Sequence, residues 1–149
     1  MPDELLRPTI GTPVDLSVRP WRLMSQTYVA FFGGVIASTV IAFLNARRLG
    51  VDAVKRRLIL LTGLFGLVAV GAVFVLLDGD DDMTSGIRVG TRVVAVLCCL
   101  VQLRLQRPMD RAFQLRGTDY GSLWGAGIAA AVGGAIAELF VLLLAARVV

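Results

Sequence analysis

Residues 26–46 read QTYVAFFGGVIASTVIAFLNA, a run without one Asp, Glu, Lys or Arg. At 1.5 Å per residue it reaches about 30 Å as a helix, the thickness of a bilayer's hydrocarbon core. This predicts a first membrane-spanning helix. Leu58–Leu77 repeats the pattern with twenty uncharged residues, and the basic connector 47–57 between the two makes them a helical hairpin. The third span, 87–106, has an uncharged centre at Val93–Val101. Arg88 and Arg92 stand before that centre and Gln102 and Arg104 after it, so the Arg side chains must snorkel toward the headgroups for the helix to span. Residues 122–146, rich in Ala, Gly and Leu, form the fourth span with a single charge, Glu138.

Composition points the same way. Of 149 residues, 56% are hydrophobic and 17% charged, and none is His; mean hydropathy is +0.77. Soluble chains carry about 25% charged residues. The predicted fold class is an all-α polytopic membrane protein, four transmembrane helices in an up-and-down bundle (26–149) behind a polar N-terminal arm (1–25). That arm holds Pro2, Pro8, Pro13 and Pro20 and no apolar stretch long enough for a signal-peptide core. Trp21, Tyr28 and Trp124 read as anchors at the headgroup level.

The basic set is 14 Arg and one Lys, Lys55. Most of the Arg residues flank apolar blocks, which suits membrane loops and argues against nucleic-acid binding. Loops 47–57 and 107–120 are basic, whereas the intervening turn holds Asp78, Asp80, Asp81 and Asp82. By the positive-inside rule the two basic loops are cytoplasmic and both termini lie outside, with Arg7, Arg19 and Arg22 arguing the other way. The predicted location is a bacterial cytoplasmic (inner) membrane, the Arg-over-Lys bias hinting at a GC-rich source.

Few residues can carry chemistry. Without His the usual general base is missing, and no phosphate loop, nucleophile with base, or metal-ligand cluster stands in the sequence. No catalytic residue, metal or cofactor is expected. The Asp78, Asp80, Asp82 spacing imitates half a calcium loop, but Met83 and Val89 occupy the positions of its Gly and Glu. Cys98 and Cys99, adjacent inside an apolar run, read as small core residues.

Glu138 is the one acid inside a hydrophobic run. A charge at that depth costs a few kcal/mol unless paired. In an up-and-down bundle Arg92 shares its depth, which predicts a Glu138–Arg92 ion pair, either structural or part of a proton or cation relay. Small residues four apart let helices approach closely in lipid. On the fourth helix they form the row Gly117, Gly121, Gly125, Ala129, Gly133 and a second row Ala130, Gly134, Glu138; on the first helix, Gly34, Ser38, Ala42, Ala46. They are expected to pack the bundle or an oligomer. Asn45, Thr62 and Gln102, near the helix ends, are expected to hydrogen-bond across it.

Ala30-Phe31-Phe32-Gly33-Gly34 followed by Asn45-Ala46-Arg47-Arg48-Leu49-Gly50 resembles a group of uncharacterised small bacterial four-helix membrane proteins, as does the Gly121-Ser122-Leu123-Trp124 entry to the last helix. Where that group often has Pro after the paired Gly, this chain has Val35. The resemblance implies the four-helix topology and no activity. Three roles are compatible with these features. The leading one is a non-catalytic component (accessory subunit, anchor or scaffold) working through helix and loop contacts with the bilayer, with further copies of itself or with a larger membrane partner. The others are a small oligomeric transporter or channel using Glu138, and a membrane effector or immunity protein. In size the chain is similar to small multidrug-resistance transporters, whose key Glu lies in the first helix.

Overall fold

The computed structural model describes residues 19–77, 84–117, 119–145 and 147. The first eighteen residues of the polar arm and the Asp78–Asp82 turn lie outside these. The described chain is an all-α, four-helix bundle: α1 (Ser25–Arg48), α2 (Ala53–Leu77), α3 (Thr84–Gln114) and α4 (Trp124–Ala145). By length and composition alone, each of the four is long and apolar enough to cross a membrane. Their outward faces are apolar, with Leu64, Phe65 and Leu76 of α2 and Ile136 and Phe140 of α4 exposed, as a multi-pass membrane protein requires.

Helices α2, α3 and α4 run alternately up and down, and α1 contains a reversal. Gly34 has φ 76° and ψ −164°, a region open essentially to Gly alone. A straight helix would separate Trp21 from Asn45 by about 36 Å, yet the Trp21 N–H donates to Asn45 Oδ1 at 2.7 Å. Arg48 Nη1 likewise reaches the Arg19 carbonyl at 3.2 Å. The chain therefore climbs along a first arm, 25–33, turns at Gly34, and descends along a second arm, 35–48. The arms need small residues where they meet. A Cβ on Gly33 would lie 2.5 Å from Ala37 Cβ, and Ala30 and Ala42 are both fully buried.

The reversal changes where the segment just before α1 lies. Residues 19–24 sit at the same end of the bundle as the connectors 49–52 and 115–123, since Gly121 N–H donates to the Pro20 carbonyl at 2.9 Å. Helix α4 finishes at the opposite end. Within the described residues α1 thus returns to the end where it began, the end opposite to the one where α4 finishes.

Local signals explain the other boundaries. At the end of α1, Gly50 takes φ 68°, which lets the Val51 N–H reach back to the Ala46 carbonyl at 2.9 Å and close the helix. Asp52 then opens α2 as an N-cap, accepting the Val54 N–H at 3.1 Å. The helix therefore starts at Ala53, and Lys55, Arg56 and Arg57 lie within it. Helix α3 continues past Pro108 to Gln114, eight residues beyond the apolar span.

The core lies around the second arm. Val35, Val70, Ala95 and Cys98 pack together near the turn. Ala46, Leu49, Val51, Ile59, Cys99, Leu103 and Phe113 form the larger cluster toward the connectors.

Candidate functional site

A broken helix inside a membrane exposes main-chain groups that lipid cannot satisfy, each costing several kcal/mol. The break at Gly34 frees the N–H of Val35 at the start of the second arm. Glu138 on α4, itself buried, accepts that N–H through Oε2 at 3.1 Å. The carboxylate sits at the positive end of the second arm's dipole, where negative charge is favoured. Gly34 makes room for it, because a Cβ there would collide with the Glu138 carboxyl group. Turn and acid fit as a pair.

Among the described residues no contact within 4.0 Å joins Glu138 to Arg92, so the expected ion pair is corrected to a carboxylate–backbone hydrogen bond. The group that meets the carboxylate is the N–H released by the turn.

From the turn toward the connectors, α3 turns a polar stripe inward at four-residue intervals, Gln102, Gln106 and Asp110, which the exposed Gln114 continues one turn further. Gln102 Nε2 donates to Thr39 Oγ1 on the second arm at 2.9 Å and to the Ile59 carbonyl of α2 at 3.3 Å. Asn45 Nδ2 donates to Gln106 Oε1 at 3.1 Å. Asn45 thus ties α3 to the second arm and, through Trp21, to the segment preceding the first. At the end of the stripe, Asp110 accepts the Tyr120 hydroxyl at 2.8 Å and Gln114 Nε2 at 3.1 Å. Burial and the hydrogen bond to Asp110 hold the Tyr120 phenol above its ordinary pKa, against opposing effects of Gln114 and Arg22.

Not every buried polar group is satisfied. The Gln26 carboxamide, fully buried, meets no hydrogen-bond partner, and neither do Thr27 Oγ1 and Gln102 Oε1. Such groups cost about 1–3 kcal/mol each by mutational scales.

Asn45 and Gln102 cross the bundle as expected. Thr62 does not: its hydroxyl donates to the Leu58 carbonyl one turn earlier at 2.7 Å, and its own carbonyl accepts from Cys98 Sγ at 3.3 Å. The small-residue rows divide. Gly34 and Ser38 are buried as expected. Gly134 lies against Ala37, where a Cβ would fall 2.7 Å from its backbone nitrogen, while Gly125 and Gly133 face open space. The packed face of α4 is Gly127, Gly134 and Glu138, and the Gly125–Ala129–Gly133 row points away from the bundle. Gly121 packs ahead of α4, against Arg19.

The anchors divide too. Trp124 is 79% exposed at the start of α4. Trp21 stays at the bundle end but only 4% exposed; Arg48 covers its ring, 3.8 Å from the centroid. This cation–π contact replaces the expected headgroup contact. Thr39, Gln106, Asp110 and Tyr120 belong to the site although sequence reading passed them over. Among the described residues no group of three His, Cys, Asp or Glu side chains could hold a metal ion. Comparison with known families, curated proteins and solved structures finds no match to this chain.

Proposed function

We propose that this protein is a non-catalytic component of a bacterial cytoplasmic membrane, acting through its outer helix faces and basic connectors on another membrane protein or on further copies of itself. One observation carries the reading. The polar groups inside the bundle mostly hold the α1 hairpin in place: Glu138 caps the second arm, Asn45 joins both arms to α3, and Gln102 grips Thr39. A buried network of mutual bonds favours one rigid arrangement. What remains for partners lies outside, on the Gly125–Gly133 row and on a bundle end carrying Arg19, Arg22, Arg47, Lys55, Arg56, Arg57, Arg107, Arg111 and Arg116. By the positive-inside rule that end is cytoplasmic, and residues 19–24 lie there with it.

Native mass spectrometry of the protein gently extracted from its own membrane tests the proposal. Recovery with a stoichiometric companion, or as a defined homo-oligomer, supports it. Recovery as a lone monomer overturns it.

A relay through Glu138 is the second reading, favoured by the unpartnered Gln26 and Gln102 groups and by the polar stripe between the turn and the connectors. Broken helices often mark ion sites in transporters. Proton flux into vesicles, driven by a potassium diffusion potential, decides it: flux that Glu138→Gln abolishes supports the relay, and absence of flux in the unmodified protein removes it.

A further inference from the structure

Arg22 and Asp119 stand exposed at the mouth of a groove of about 880 Å³ between the first arm of α1 and the start of α4. Buried Val29 and Leu123 line its depth with Gly127, which adds no side chain. Its walls are Tyr28, Phe32, Trp124 and Ile128, which are 70%, 65%, 79% and 57% exposed. Polar groups gather at one end only, where Ser25, Ser122 and Tyr120 join the two charges. From Arg22 to Phe32 is about 15 Å of chain if helical, one leaflet of a 30 Å hydrocarbon core. A wholly apolar molecule would leave the charges at the mouth without partners; a wholly polar one would leave the aromatic walls bare.

The charges identify the occupant. The mouth carries one guanidinium and one carboxylate, and among the described residues no ion pair within 4.0 Å joins them. Neither neutralises the other, and the Arg22 guanidinium rests 5.8 Å from the centroid of the Tyr120 ring at the same end of the groove. We propose that this groove binds one phospholipid whose headgroup holds a phosphodiester and a primary ammonium. Its phosphate meets Arg22, its ammonium meets Asp119, and one acyl chain lies along Val29, Phe32, Gly127 and Ile128. A purely anionic headgroup would set a second negative charge beside Asp119.

Native mass spectrometry of the protein reconstituted in vesicles of equal phosphatidylethanolamine and phosphatidylglycerol tests this. The expected spectrum shows one phosphatidylethanolamine retained per chain at collision energies that strip bulk lipid. Arg22→Gln lowers that retention about tenfold, the loss of one charge-assisted contact, and Asp119→Asn turns the preference toward phosphatidylglycerol. Both side chains are exposed, and circular dichroism melting checks that both variants fold. No retained lipid, equal retention of the two lipids, or retention unchanged in folded Arg22→Gln overturns the proposal.

Discussion

The Trp21 N–H and the Asn45 side-chain carbonyl, 24 positions apart, are hydrogen-bonded at 2.7 Å. This bond holds the two feet of the α1 hairpin together, and Asn45 also donates to Gln106. Asn45→Ala removes both bonds and leaves a buried main-chain N–H without a partner, at about 1–3 kcal/mol. Thermal unfolding in detergent is expected to show the loss, and Asn45→Asp to recover part of it by still accepting from Trp21.

Gly34→Ala brings a Cβ into a conformation that L residues avoid and into the space of the Glu138 carboxyl group. The cost is about 3 kcal/mol or more. Spin labels at Arg22 and Arg47 would report a short separation in the parent protein. In the Ala variant a population near the straight-helix value of about 37 Å is expected. An unchanged distance distribution would show that the turn does not depend on Gly34.

Two glycines eight residues apart on α4 differ from a third beside them. Gly125→Leu and Gly133→Leu are expected to leave the stability of the isolated chain within about 0.5 kcal/mol, because both positions face open space. Gly134→Leu meets the Ala37 backbone and is expected to cost at least about 1–3 kcal/mol. If the chain associates through the outward row, the first two variants lower oligomer mass without lowering the melting temperature.

The Tyr120 hydroxyl bond to Asp110 gives a pH dependence. Its phenol pKa is raised on folding, so the bond's contribution is fully present below the unfolded value near 10 and is lost as pH rises through the higher folded value. The melting temperature of the parent protein is expected to fall more steeply above pH 10 than that of Tyr120→Phe. At pH 7 the Phe variant is expected to be less stable by about 1 kcal/mol.

Orientation is open to direct labelling. Cysteines placed at Arg22 and Arg116 are expected to react with an impermeant maleimide from one face of the membrane, and one placed at Arg147 from the other. Labelling of Arg22 and Arg147 positions from the same face would contradict the reversal in α1.

Hydropathy made the helical membrane class legible, because uncharged runs of membrane length have few other uses. It could not reveal the reversal, since twenty apolar residues read alike whether straight or folded at the middle. The signs that bear on it are three: paired Gly33 and Gly34 at the centre of the run, a lone acid in α4, and Arg19 and Arg22 opposing the charge-based orientation. Each has a commonplace explanation alone. The partner of Glu138 was sought among side chains of matching depth, whereas the group that binds it is a main-chain N–H released only by the turn. Helix α4 carries two rows of small residues, and spacing does not say which faces inward. The stripe Gln102, Gln106, Asp110, Gln114 becomes readable only when α3 is carried through Pro108, a residue that ordinarily argues for a helix end.

The acid that closes the Gly34 turn lies 103 positions downstream of the N–H it receives. On the ribosome, the α1 hairpin is synthesised first and its cap almost last. Until α4 enters the bilayer the Val35 amide has no carboxylate to meet, so the first membrane segment to be made is the last to be finished. Completion of the hairpin thereby reports that translation has passed Glu138, and a nascent chain halted before that residue would present its unfinished turn to the quality-control proteases of the membrane.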